Sequence, residues 1–210
     1  KEYSKLDESA TRLMTNSFLT EVLGYRELDE IKTEYSIKGE FADYVIQLKR
    51  KKHFVVEVKS VQLDISQKHL RQSLSYAANE GIDWILLHNG RQIELYRVNF
   101  GKPISTTQAF SIDLLNADHF KRCAEDLVYL TKRSVEKGDL GAFWKRFNAL
   151  APAAIGKMLY TEDVAKLLRR WLRDDTGIFF PLEDIADSLY YVISDETDIS
   201  RPKLRPRKRR

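Results

Sequence analysis

Residues 41–60 read FADYVIQLKRKKHFVVEVKS, and this stretch decides the fold. Residues 42–48 and 54–60 are rich in β-branched and aromatic side chains, with a basic run, Lys49 to Lys52, between them. That is the pattern of two strands around a turn. Side chains alternate across a strand, so Val55, Glu57 and Lys59 share one face, and Phe54, Val56 and Val58 take the other as core. Asp43 shares a face with Val45 and Gln47. If the pair is a hairpin turning within 49–53, Asp43 lies opposite residues 57–61. Asp43, Glu57 and Lys59 then meet on one surface.

Two carboxylates and an ammonium on one patch have a specific chemistry open to them. The carboxylates can hold a hard divalent cation, which prefers oxygen ligands. Such a cation polarises a phosphodiester and lowers the pKa of water. The lysine can orient that water or offset charge growing on the phosphate. The plainer alternative is a solvated sheet face on which Glu57 and Lys59 are ordinary surface charges.

Working outward, residues 31–38 form a strand turned into the hairpin by Gly39 and Glu40. Residues 5–23 predict a helix with Ser4 as N-cap and Gly24 as its stop. Its apolar stripe is Leu6, Ala10, Leu13, Met14, Ser17 and Phe18. Glu21 falls within that stripe and Glu8 opposite it, so wheel geometry turns Glu21 toward the sheet. A helix over 66–80, capped by Ser66, has Leu70, Leu74, Ala77 and Ala78 as its core side. Gln72 and Tyr76 stack four apart on a different face, with His69 and Asn79 nearby. In the plainer reading Tyr76 is a boundary aromatic and Gln72 a surface amide.

Residues 83–88 read as a buried strand, Asn89-Gly90 as a tight turn and 92–98 as the next strand. Residues 107–113 add an edge strand. Helices follow over 117–134, 140–149, 161–174 and 182–194, punctuated by Gly138, Pro152, Gly177 and Pro181. The tryptophans, Trp84, Trp144 and Trp171, sit in apolar patterns and read as core or interface residues.

The 210 residues suffice for one large domain or a domain with an appendage. The net charge of +4 misleads. Seven of the 35 basic side chains and no acidic one lie in 201–210, so the remainder, 28 basic against 31 acidic, is net negative. The tail suits non-specific contact with phosphates, or serves only to solubilise. One cysteine, Cys123, excludes an intrachain disulfide and a thiolate zinc cluster, which fits a reducing, cytoplasmic location. No apolar run reaches the roughly 18 residues of a membrane span, and no signal peptide is visible. There is no P-loop, no G-x-S-x-G, no H-E-x-x-H and no cysteine–histidine zinc spacing. His53, His69, His88 and His119 are scattered over unlike elements and suggest no shared metal site.

The order helix, strand, Asp-bearing strand, E-x-K strand, helix resembles the PD-(D/E)xK nucleases. More narrowly it resembles the N-terminal nuclease domain of type I restriction enzyme R subunits and related stand-alone proteins. The likeness covers about residues 5–115. It is carried by ESATR (8–12), LGY (23–25), ADYVI (42–46), VVEVKS (55–60), QSLSY (72–76) and LLHNGRQIELY (86–96). Ala42 stands where the family's name has proline, and no motor is present, so the chain is not a complete translocating subunit.

The resemblance implies a restriction-endonuclease-like α/β fold, a mixed sheet flanked by helices over 1–135. Beyond it, the amphipathic helices with Phe143, Trp144, Phe147, Trp171 and Leu172 read as a helical appendage over 136–198, and 199–210 as a basic tail. It implies a DNA endonuclease dependent on Mg²⁺ or Mn²⁺, with Asp43 and Glu57 as metal ligands and Lys59 assisting the attacking water. Gln72 and Tyr76 stand beside that centre to position substrate. Glu8 matches the family's first-helix acid, and therefore a further metal ligand, against the wheel's Glu21. The alternative is a non-cleaving nucleic-acid-binding or partner-docking module on the same fold. The apolar helices after 136 are expected to serve a homodimer or a partner protein, and no membrane is involved.

Overall fold

A computed structural model describes residues 7–37, 40–116 and 120–197. The expected Ser4 cap, the Gly39 turn, His119 and the basic tail lie outside the described residues. The elements in order are α1 (Glu8–Ser17), a π-helical turn (Phe18–Val22), β1 (Ile31–Ile37), β2 (Glu40–Leu48), β3 (Lys51–Val58), α2 (Gln67–Glu80), β4 (Trp84–His88), β5 (Gln92–Asn99) and β6 (Ser105–Asp113). The strands form one six-stranded sheet in sequence order. All neighbours are antiparallel except β3 and β4, which α2 joins as a crossover. The expected mixed sheet flanked by helices is the fold.

The opening stretch folds as read, with a tighter turn. Leu48 pairs with Lys51, leaving Lys49 and Arg50 alone at the tip. Both have positive φ, 49° and 68°. That is the twist a two-residue hairpin requires, and asparagine or glycine adopts it more cheaply. Phe54 through Val58 are at most 3% exposed. The strand is thus buried on both faces, because α2 covers the side carrying Val55 and Glu57. Val55 packs there with Leu70, Tyr76, Ala77, Ile82 and Ile85. The parallel partner β4 (WILLH) is buried throughout, which is why its sequence does not alternate.

The first helix seats differently from the wheel. Its buried residues are Thr11 and Thr15, followed by Leu19, while Leu13 of the expected stripe is 74% exposed. Each threonine hydroxyl donates to the carbonyl one turn back, Thr11 to Asp7 at 2.8 Å and Thr15 to Thr11 at 2.9 Å. A hydroxyl so satisfied can be buried cheaply, and hydropathy does not register it. The π turn from Phe18 then shifts the phase, and Glu21 points to solvent. Asp7 caps the helix, accepting from Ala10 N at 2.8 Å. The LGY segment locks the helix end: Gly24 takes φ 81°, Leu23 and Tyr25 are buried, and the Tyr25 hydroxyl donates to Leu130 O at 2.7 Å.

After the sheet come α3 (Phe120–Val128), α4 (Lys132–Lys137), α5 (Asp139–Ala149), α6 (Pro152–Leu159), α7 (Glu162–Thr176) and α8 (Leu182–Thr197). The expected helix over 117–134 is divided at Thr131, which caps α4 through its side chain. Pro152, read as a break, instead starts α6, as the first helical turn allows. The chain forms two compact units, Lys1–Phe143 and Trp144–Arg210. The expected boundary at 135/136 falls inside α4. In the first unit Phe143 packs on Tyr129 and Phe110. In the second, Tyr160, Ala186 and Ile193 form a small core, while Trp171 is 56% exposed. No helix among the described residues is long and apolar enough to cross a membrane.

Candidate active site

Asp43, Glu57 and Lys59 come together as the hairpin predicts. Tyr44 pairs with Val56, which brings Asp43 to the end of β3. There its Oδ2 accepts the Val58 N–H at 2.7 Å. Glu57 lies in the middle of the sheet, paired in register with Leu87 of β4, and is 3% exposed. Lys59 follows the strand, and its backbone N–H donates to His88 O at 3.0 Å. Its Nζ donates to Glu57 Oε1 at 2.7 Å. The plainer reading of a solvated face therefore fails for Glu57, which is in the interior.

The helices complete the patch. Arg12 of α1 places Nη2 2.5 Å from Asp43 Oδ1 and 3.2 Å from Glu8 Oε1. Glu8 thus lies beside the Asp43 patch through Arg12, whereas Glu21 points to solvent. From α2, Ser73 donates a long hydrogen bond, 3.5 Å, to Glu57 Oε2. The expected pair on that helix is split: Gln72 is exposed, whereas Tyr76 is 1% exposed within the core cluster. Positions four apart share a helix face only approximately, and the buried arc of α2 runs through Leu70, Ser73, Tyr76 and Ala77.

Arg12 and Ser73 also reach the patch, and the sequence reading does not single them out as site residues. Arg12 stands four after Glu8, the spacing of a helical ion pair, and that signal was present in the sequence. Ser73 gives no sign beyond its neighbours. His88 and Thr15 support the site from behind. Thr15 Oγ1 lies 2.8 Å from His88 Nδ1, and the Phe18 ring stacks on the imidazole at 5.3 Å. Together they seat α1, and with it Glu8 and Arg12, over the sheet.

The electrostatics favour added positive charge. Burial pushes the Glu57 carboxyl above its usual range; the Lys59 hydrogen bond opposes this and the Asp43 charge adds to it. Burial would depress Lys59, but the hydrogen bond and field of Glu57 outweigh it and raise its pKa, with Glu8 and Asp43 contributing. Both groups thus hold protons more tightly than in water. Among the described residues no cluster of three or more acidic, histidine or cysteine side chains is arranged to enclose a metal. A magnesium ion needs less: it keeps several waters and binds through one or two carboxylates. Asp43 and Glu57 offer that oxygen donor set, so the residues present fit such an ion.

No curated protein and no solved structure is a match. The family described as Type I restriction enzyme R protein N terminus (HSDR_N) matches residues 7–108. The match runs from the cap of α1 into β6 and takes in Glu8, Arg12, Asp43, Glu57, Lys59 and Ser73. The match covers just under half of the chain, and it is this segment, the sheet with its two covering helices, that is similar to the type I restriction enzyme R protein N terminus.

Proposed function

We propose that the protein is a divalent-metal-dependent endonuclease that hydrolyses DNA phosphodiester bonds in restriction or defence. The observation that carries this reading is Glu57: a carboxylate 3% exposed in mid-sheet, bonded to Lys59 Nζ at 2.7 Å and lying in the field of Asp43. A structural role alone does not call for such a residue, since burying a charge costs several kcal/mol that its partner must offset, and an apolar side chain there would avoid that cost. Perturbed ionisable groups of this kind gather at working sites.

In this reading Asp43 and Glu57 hold Mg²⁺ or Mn²⁺, with Glu8 at the rim. When bound, the cation polarises the phosphodiester and lowers the pKa of water beside it. Lys59 remains protonated at neutral pH, because its shift is upward. Its ammonium orients the attacking water and offsets charge gathering on the phosphate. Ser73 helps hold the Glu57 carboxylate in its rotamer. The exposed amide of Gln72 is free to meet the substrate, and buried Tyr76 acts by packing α2 against the sheet. The Val58 N–H fixes Asp43 from the side away from solvent. DNA is gripped by phosphate contacts from the basic hairpin tip and the tail, which carry no sequence information themselves. Any sequence preference then comes from a partner.

Titration of the protein with Mn²⁺ or Mg²⁺ in a calorimeter tests the site. One binding event is expected, lost in Asp43→Asn, which can still accept the Val58 N–H. Binding that persists unchanged in that variant places the cation elsewhere and contradicts the assignment.

A further inference from the structure

We propose that Arg12 is a displaceable internal counter-ion: its guanidinium holds the carboxylates that an incoming divalent cation must take, and the cation binds by exchange with it. This rests on the reading of Asp43 as a metal ligand given above.

Three features of the structure support exchange over a fixed structural pair. First, Arg12 uses the carboxylate oxygens themselves, Asp43 Oδ1 at 2.5 Å and Glu8 Oε1 at 3.2 Å. One guanidinium nitrogen, Nη2, meets both oxygens, so its charge neutralises the pair where a metal would. Second, Asp43 is held independently. Its Oδ2 keeps the Val58 N–H at 2.7 Å, and the Tyr44 hydroxyl donates to the Arg12 carbonyl at 3.0 Å. Losing the guanidinium contact therefore leaves the Asp43 carboxylate and the helix held. Third, Arg12 has somewhere to go. Its side chain is 39% exposed and lines a cleft of about 280 Å³ with Asn16, Glu27, Thr33 and Tyr44. Glu27, bonded there to Asn16, offers the released guanidinium another carboxylate.

The consequence is an inverse relation between two measurable quantities. Arg12 stabilises the metal-free protein and weakens its hold on the cation, because a ligand that must displace an internal competitor binds with reduced apparent affinity. A purely structural Arg12 gives the opposite sign: without it the carboxylates splay and the cation binds less well.

Calorimetric titration of the full chain with Mn²⁺ tests this, using wild type, Arg12→Gln, Asp43→Asn and Lys68→Gln. The last removes a charge from α2 outside the carboxylate contacts. Arg12→Gln is expected to bind Mn²⁺ about tenfold more tightly, the equivalent of roughly 1.4 kcal/mol, and to melt at lower temperature without metal. Lys68→Gln is expected to stay within about twofold of wild type, the scale of a screened surface charge. If Arg12→Gln does not fold, Arg12→Lys, which keeps the charge but loses the planar guanidinium on a more mobile stem, is expected to tighten binding by a smaller factor. Equal or weaker binding in the Arg12 variants, with wild type binding and Asp43→Asn not, overturns exchange and leaves the metal site standing. Equal tightening in Lys68→Gln overturns it in favour of general charge removal. Absence of Mn²⁺ binding in wild type and Arg12→Gln alike overturns both readings.

Discussion

His88 should make the protein lose stability as the pH falls, by an amount that can be worked out from its surroundings. The imidazole is 3% exposed. Its Nδ1 meets Thr15 Oγ1 at 2.8 Å, and its ring lies nearly parallel to Phe18, 13° off. Burial pushes its pKa down to about 4. The unfolded chain, with an ordinary histidine pKa near 6.5, therefore takes up the proton first. Stability is full above pH 6.5, falls through the window between about 6.5 and 4, and changes no further from this group below that. At about 1.4 kcal/mol per pH unit the loss comes to roughly 3 kcal/mol. That is a substantial part of the 5–15 kcal/mol by which domains are typically stable.

Urea unfolding of wild type and His88→Gln between pH 7.5 and pH 4 isolates this contribution. Carboxylates and the other histidines titrate alike in both proteins and drop out of the difference. The wild-type advantage over the variant at pH 7.5 should shrink by roughly 3 kcal/mol by pH 4. A difference that stays flat with pH would refute a buried neutral His88, and with it the account of how α1 is seated over Asp43.

Three other outcomes follow from particular residues. Replacing Lys49-Arg50 at the hairpin tip by Asn-Gly should stabilise the protein by about 1–2 kcal/mol, since both positions have positive φ, and should weaken DNA binding; unchanged urea midpoints would refute the first claim. Asp43→Ala should cost about 1–3 kcal/mol more stability than Asp43→Asn, because it strands the buried Val58 N–H; equal melting of the two variants would contradict that. Deleting residues 201–210 should flatten the slope of log DNA affinity against log salt, as fewer counterions are released, and leave cleavage at saturating DNA intact; an unchanged slope would mean that the tail does not touch DNA.

The sheet and the heart of the site were legible because both follow from alternation. In FADYVIQLKRKKHFVVEVKS the period of two places Glu57 and Lys59 on one face, and the hairpin brings Asp43 to them. The helices were less legible for identifiable reasons. Thr11 and Thr15 are buried by bonding back to carbonyls, which no hydropathy stripe records. The π turn at Phe18–Val22 breaks the period used to place Glu21. Pro152 reads equally as an interruption and as a first helical residue. On α2 the pair Gln72 and Tyr76 draws attention, yet Ser73 reaches Glu57. A helix shows its orientation only once the partner surface is known.

In the proposed function, Glu57 and Lys59 perform metal-dependent hydrolysis of DNA. Single-turnover nicking of supercoiled plasmid at saturating Mn²⁺ or Mg²⁺, in wild type, Glu57→Gln and Lys59→Met, tests it most directly. Wild type should nick the plasmid only with the divalent ion present, and each variant should lose at least about a hundredfold in rate while keeping the wild-type fold by circular dichroism. Nicking that continues undiminished in Glu57→Gln, or wild-type protein that binds DNA and the ion yet never cleaves, would contradict the account and leave a binding module on a nuclease fold.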